Sequence, residues 1–198
     1  SKVPDWINDY LEEKKISITP SASILLAEHT GNNITTIANE LDKLALNIKE
    51  GDKITEKEIE QNIGISKEFT VFELQKALSV RNKFKAFRIV NYFAANVKDN
   101  PMPKVAPLLV DYFAKIMITK TLTRSNASDK DISSVTGTNF YFINDLKLAA
   151  KNFTDQQIIN VFKILREYDL KSKAVGNTDV YANDGELIKE MVFKIFNA

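Results

Sequence analysis

Apolar residues recur at intervals of three and four along nearly the whole chain, the pattern of helices that each bury one face. Near the start, Pro4 suits a first helical position, and Trp6, Ile7, Tyr10 and Leu11 then share one helical face. Thr19 and Pro20 read as an N-cap followed by a first-turn proline, opening a helix through Ile24, Leu25 and Glu28 that Gly31 closes. Asn33 caps a longer helix whose core stripe is Ile34, Ile37, Ala38, Leu41, Leu44, Ala45 and Ile48, with Gly51 at its end. Thr55 and Glu58 have the spacing of a capping box, each side chain satisfying the other residue's backbone N–H, for a helix over 56–63. Four short helices therefore occupy the first 66 residues and end at Gly64.

The remainder repeats the style with longer helices. Thr70 and Glu73 make a second box leading Val71, Leu74, Ala77 and Leu78. Phe84, Phe87, Val90, Asn91 and Ala94 continue that stripe in one long helix to about Val97. The segment 98–103, with two prolines, is a turn. From Pro103 to about Arg124, Leu108, Leu109, Tyr112, Phe113, Ile116 and Met117 leave few polar positions, which predicts a central helix buried on most sides. Residues 125–138 are a polar loop with room for one short helix. Helices over 140–150, from Thr154 to Tyr168, and over 184–196 complete the chain. No alternating pattern of useful length marks a strand. The chain reads as all-α, in two bundles over 1–66 and 67–198 that meet near 65–69.

Composition narrows the chemistry. The 198 residues include no cysteine, which excludes a disulfide scaffold, a thiolate metal site and a cysteine nucleophile. A single histidine, His29, excludes a multi-histidine zinc site. Its place at a helix C-terminus beside Gly31 suits pairing with unpaired carbonyls rather than catalysis. The six glycines are scattered singly and no Gly-Lys-Ser/Thr occurs, so the chain has no loop to cradle phosphates. The carboxylate pairs Glu12/Glu13, Glu40/Asp42 and Glu56/Glu60 fall on polar helix faces or first turns, where solvation and the helix dipole account for them. No catalytic residue, metal ligand or cofactor is expected. The apolar run 105–118 is broken by Asp111 and Lys115 and is shorter than the ~20 residues that span a bilayer, and no signal-like segment opens the chain. A cytoplasmic protein away from membranes is expected, and the start at Ser1, without methionine, fits a piece of a longer chain.

Charge divides the chain further. The formal net charge is only +1, yet residues 1–66 carry −5 and residues 67–198 carry +6. Two groups of cations stand out: Arg81, Lys83, Lys85 and Arg88 in one helical stretch, and Lys163, Arg166, Lys171 and Lys173 around Tyr168. Such groups neutralise phosphates, and a tyrosine stacks on a base; ordinary solvated helix faces carry the same residues.

Four segments resemble one family. Residues 31–44 place Gly31, Asn33, Ile34, Ile37, Glu40, Leu41, Lys43 and Leu44 as in a helix of the bacterial DNA polymerase III delta subunit. Ile54, Thr55, Glu56, Glu58 and Ile59 follow as in that family's next helix. Phe72, Leu74, Ala77 and Leu78 resemble its F-x-L-x-x-A-[IL] helix. Residues 168–176 resemble its D-x-x-[LI]-K-x-x-G turn, with Lys171 and Lys173 competing for the lysine. The order holds over essentially all 198 residues.

The resemblance implies a small AAA+ lid-type bundle over 1–66, a helical collar over 67–198, and a missing N-terminal nucleotide-fold domain that engages the sliding clamp. It implies a non-catalytic part of the DNA polymerase III holoenzyme, itself a nucleotidyltransferase. The implied partners are ATPase gamma/tau-type and delta-prime-type clamp-loader subunits, with primer–template DNA in the assembled complex. The lid helix over 33–48 has no arginine for a nucleotide's phosphates; its Lys43 lies three residues from Glu40, the spacing of an intrahelical ion pair. Partner or DNA contacts are expected at Tyr168, Asp169, Lys171 and Lys173, and the helix over 105–118 is expected to be collar core rather than interface. A stand-alone helical adaptor unconnected with replication is the competing reading.

Overall fold

The computed structural model of the chain describes residues 3–30, 33–48, 51–64, 69–173 and 184–198. Gly31, Gly176, the side chain of His29 and positions 65–68 of the expected boundary lie outside the described residues. The chain divides into two compact units, Ser1–Thr70 and Val71–Ala198. Both are helical, as the periodicity predicts.

The first unit runs α1 (Val3–Glu12), β1 (Ser17–Ile18), α2 (Pro20–Thr30), α3 (Ile34–Leu46), β2 (Lys53–Ile54) and α4 (Glu56–Ile63). Its core joins Ile7 and Leu11 of α1, Leu26 of α2, Ile37, Leu41 and Leu44 of α3, and Ile59 of α4. The two strands, which no pattern revealed, pair in parallel with Ser17 opposite Lys53 and Ile18 opposite Ile54. Two residues are too few to show alternation, yet each strand still buries its isoleucine and exposes its neighbour.

The caps are those expected. The Thr19 hydroxyl accepts from the Ala22 N–H (3.1 Å) and donates to Glu56 Oε2 (3.1 Å), tying the starts of α2 and α4 together. Asn33 accepts from the Thr36 N–H (3.2 Å), and the Thr55/Glu58 box is complete. Gly64 ends α4 at φ +76°, a conformation that costs glycine nothing. One expected end is corrected: α3 stops at Leu46, where the Asn47 N–H bonds the Leu44 carbonyl, so Gly51 does not cap it. Instead the Gly51 N–H bonds the Lys15 carbonyl (3.1 Å) beside the strand pair.

The second unit comprises α5 (Val71–Ser79), α6 (Lys83–Ala95), α7 (Met102–Arg124), α8 (Asp129–Thr136), a 3₁₀ turn (Phe140–Phe142), α9 (Ile143–Asn152), α10 (Asp155–Ser172) and α11 (Asp184–Phe196). Helix α7 packs against α5, α8, α9, α10 and α11, and α6 packs against α5 and α11. Phe93, Phe113, Phe153 and Tyr168 are among the largest fully buried side chains, with Phe113 and Phe153 edge-to-face at 5.2 Å.

The single helix expected from 71 to about 97 is two helices. At the break the Arg81 N–H bonds the Leu78 carbonyl (3.0 Å) and the Asn82 N–H the Ala77 carbonyl (2.8 Å), with Arg81 at φ +54°. That is a Schellman end with arginine where glycine usually stands. Asn82 then caps α6, accepting from the Lys85 N–H (3.0 Å). The buried stripe of α6 is accordingly Ala86, Ile89, Val90 and Phe93, and Phe84 faces outward. The polar loop before residue 138 contains α8, opened by a Ser128/Asp131 box and closed by Gly137.

Polar side chains close several helix ends. Lys120 Nζ donates to the carbonyls of Ala150 and Phe153 (2.8 Å each), at the end of α9. Asn152 donates to the Ser79 carbonyl (2.7 Å) at the end of α5. The Asp184 carboxylate accepts from the Met102 N–H (3.1 Å), serving the start of α7 where Pro101 has nothing to offer. Helices α6 and α11 come so close that a Cβ on Gly185 would lie 2.7 Å from Ala94 Cα.

Candidate partner-binding surfaces

The end of α10 and its C-cap residue, Lys173, hold the four residues singled out as a contact site. Asp169 and Lys173 pair at 2.7 Å across one helical turn, and Lys171 pairs with Glu167 at 2.9 Å. Lys194 of α11 reaches the same Glu167 at 3.1 Å. The two ammonium groups, Lys171 first, hold the Glu167 carboxyl below the ordinary carboxylate range.

Tyr168 must be corrected. It is fully buried, with Lys171 and Lys194 over its ring at 4.5 and 5.0 Å, and its hydroxyl has no hydrogen-bond partner. Burial pushes its pKa up. A ring in that position offers no face to a base. The reason is register: with α10 continuing to Ser172, Tyr168 follows Ile158, Val161 and Leu165 on the core side. Asp169, Lys171 and Lys173 remain at the surface, Asp169 and Lys173 paired with each other and Lys171 with Glu167.

The other cationic group disperses likewise. Arg81 turns inward, its guanidinium donating to the Phe196 carbonyl (3.1 Å) and lying 4.8 Å from the Phe153 ring centre. Lys85 pairs with Glu73 of α5. In α3, Lys43 pairs with Glu40 at 2.8 Å, as its spacing predicts. Among the described residues no group of histidine, cysteine, aspartate or glutamate is placed to hold a metal ion.

A surface the sequence did not single out lies on α7. The buried face of this helix is Val105, Ala106, Leu109, Tyr112, Phe113, Ile116 and Thr119. The opposite face is also apolar. Pro107, Val110, Ala114, Met117, Ile118 and Thr121 fall at heptad-like spacing over about four turns, ~21 Å at 1.5 Å per residue. Val110, Met117 and Ile118 are 41, 39 and 37% exposed. Asp111, the one acid in the stripe, pairs with Lys115 at 2.8 Å. The helix over 105–118 is thus core on one side and open apolar surface on the other, which amends the expectation that it is core alone. A helix apolar all round reads as buried all round; only its neighbours decide which side stays open. A second exposed apolar group, Val135, Phe140 and Tyr141, marks α8 and the 3₁₀ turn.

The comparisons with known proteins fit this helical architecture. The family model for the C-terminal domain of the DNA polymerase III delta subunit matches residues 68–189. The chain belongs to that delta-subunit family. Among solved structures, the Bacillus subtilis DNA clamp loader delta protein is similar in fold, with a TM-score of 0.64 at 17% identity. That similarity covers 100% of this chain and 56% of the other, so this delta-family chain spans little more than half of that protein's length. No curated protein matches the sequence. No helix among the described residues is long and apolar enough to cross a membrane.

Proposed function

We propose that this chain is a non-catalytic assembly part of a clamp loader, acting in replication in the cytoplasm. In this reading residues 67–198 serve as a collar that joins the ring of ATPase gamma/tau-type and delta-prime-type subunits, and residues 1–66 serve as an AAA+-type lid. The assembled complex, rather than this chain alone, engages the sliding clamp and primer–template DNA. Family membership supports the role, and the open apolar stripe of α7 carries the mechanism. A contiguous apolar helix face is costly to leave in water and is suited to another helix packed along it. Its heptad-like spacing matches the shallow crossing of helices in bundles. Rigid helices on either side of the stripe let a partner's movement pass through the collar as a rigid-body shift.

The test is reconstitution of the chain with the ATPase and delta-prime-type subunits of its source, followed by sedimentation velocity. The unaltered chain enters the complex. The double variant Met117→Glu/Ile118→Glu, which keeps its circular dichroism, loses about a hundredfold in affinity, as expected for two interface side chains replaced by charges. A folded chain that never enters the complex sinks the reading and leaves the adaptor alternative.

A further inference from the structure

We propose that the groove between α10 and α11 is a docking site for a short acidic peptide carrying one large apolar side chain. Helix α10 contributes Asn160, Lys163 and Ile164 to its walls, and α11 contributes Phe193, Lys194 and Asn197, around an open volume of about 420 Å³. Phe193 is 58% exposed, so a side chain seated in the groove removes aromatic surface from water.

Charge sets the sign of the partner. Helix α10 carries three acids and each has a cation: Asp155 pairs with Arg124 at 2.8 Å, Glu167 with Lys171 at 2.9 Å and Asp169 with Lys173 at 2.7 Å. On α11, Glu190 leans to Lys194 at 3.7 Å. Lys163 and Arg166 are exposed and, among the described residues, have neither an acid nor a hydrogen-bond acceptor. Lys163 lines the groove, and Arg166 follows ~4.5 Å further along the helix axis. Ile159, Lys163, Arg166 and Leu170 stand at i, i+4, i+7 and i+11, so two unmatched cations lie between two apolar side chains that are each 39% exposed.

The amides on the two walls favour a peptide. Gln156 Nε2 donates to Asn160 Oδ1 (3.1 Å), which leaves the Asn160 N–H groups for a ligand. Asn197 Nδ2 donates to the Phe193 carbonyl (2.8 Å), which leaves its side-chain oxygen. A donor on one wall and an acceptor on the other match the carbonyl and N–H of a peptide unit, whereas a phosphate backbone offers acceptors only. No residue of the α7 stripe lines the groove, and the inference does not rest on the assembly reading.

The experiment uses the full chain and a fluorescein-labelled peptide in which aspartates and serines flank a single phenylalanine, read by anisotropy. Expected are saturable binding that weakens with salt, and a loss of about tenfold in Phe193→Ala with its circular dichroism unaltered. Lys163→Glu/Arg166→Glu loses about tenfold or more, Lys163→Arg/Arg166→Lys retains the affinity, and Lys130→Glu on α8 leaves it unchanged. A peptide with alanine in place of its phenylalanine binds about tenfold more weakly. The inference is overturned by absence of binding, by equal affinity for the alanine peptide or for one with lysines in place of aspartates, or by indifference to the groove substitutions. Displacement by oligothymidine as readily as by unlabelled peptide also overturns it, and assigns the groove to nucleic acid.

Discussion

The two lysine-rich stretches of the second unit look alike as sequence and differ as surfaces. At the end of α10, Tyr168 sits beneath a mesh in which Lys171, Lys173 and Lys194 are matched by Glu167, Asp169 and Glu190. On α6 the ring of Phe84 stands out in solvent and the helix carries no acid. The lesson is that a cluster of cations around an aromatic says little until the acids across the neighbouring helices are placed. Where those acids are present the lysines are occupied; where the helix itself has none, a neighbouring helix can still supply one, as Glu73 of α5 does for Lys85.

Substitution of the two aromatic residues gives the widest contrast. Tyr168→Ala costs ~3–5 kcal/mol of stability through the cavity it opens, measured by urea unfolding, whereas Phe84→Ala changes it by less than ~0.5 kcal/mol. A small effect at Tyr168 would return it to the surface and break the comparison. Next comes Arg81→Ala, which strands the Phe196 carbonyl and removes the cation from the Phe153 ring, at ~2 kcal/mol. Arg81→Gly should cost ~1 kcal/mol less, because glycine adopts the left-handed conformation without strain. Equal losses would show that the backbone there is unstrained.

Titration sharpens the same contrast. Burial raises the Tyr168 pKa above its value in the unfolded chain, so the associated stability is present below pH ~10 and is lost as pH rises through the higher folded value. Tyr168→Phe removes the titrating hydroxyl and flattens the alkaline fall seen in thermal melts. Glu167 has the opposite sign. Its lowered pKa stabilises above pH ~4.3, and that contribution is lost as pH falls through the folded value. The smallest effects belong to Lys171→Gln and Lys173→Gln, at most ~0.5 kcal/mol each in calorimetry, because their ion pairs are exposed. A larger loss would mean the mesh over Tyr168 is cooperative.

The helices were legible where the caps are the usual ones: Thr19, Asn33, Thr55 and Thr154 all cap as their spacing predicts. One break was not. Helices α1, α5 and α7 end in Schellman turns whose left-handed residue is Lys15, Arg81 or Asn126. The end of α7 near Arg124 was legible, but arginine is an unusual left-handed residue, so Arg81 gave no local mark and α5 and α6 read as one helix. That one hidden turn moved Phe84 from the expected core stripe to the surface. The contact site suffered likewise, since a few residues more of α10 put Tyr168 on the inner face.

By itself the sequence determined what local chemistry determines: helix content, most caps, the absence of cysteine and of a phosphate loop, and the fourfold resemblance that pointed to the delta family. Only the tertiary structure decided which side of α7 is covered, which cations are matched and where Tyr168 lies. Those properties depend on which helices meet across long stretches of chain. Burial and ion pairing belong to the surroundings of a side chain, and periodicity along one helix records only that a face is apolar, never which neighbour arrives to cover it.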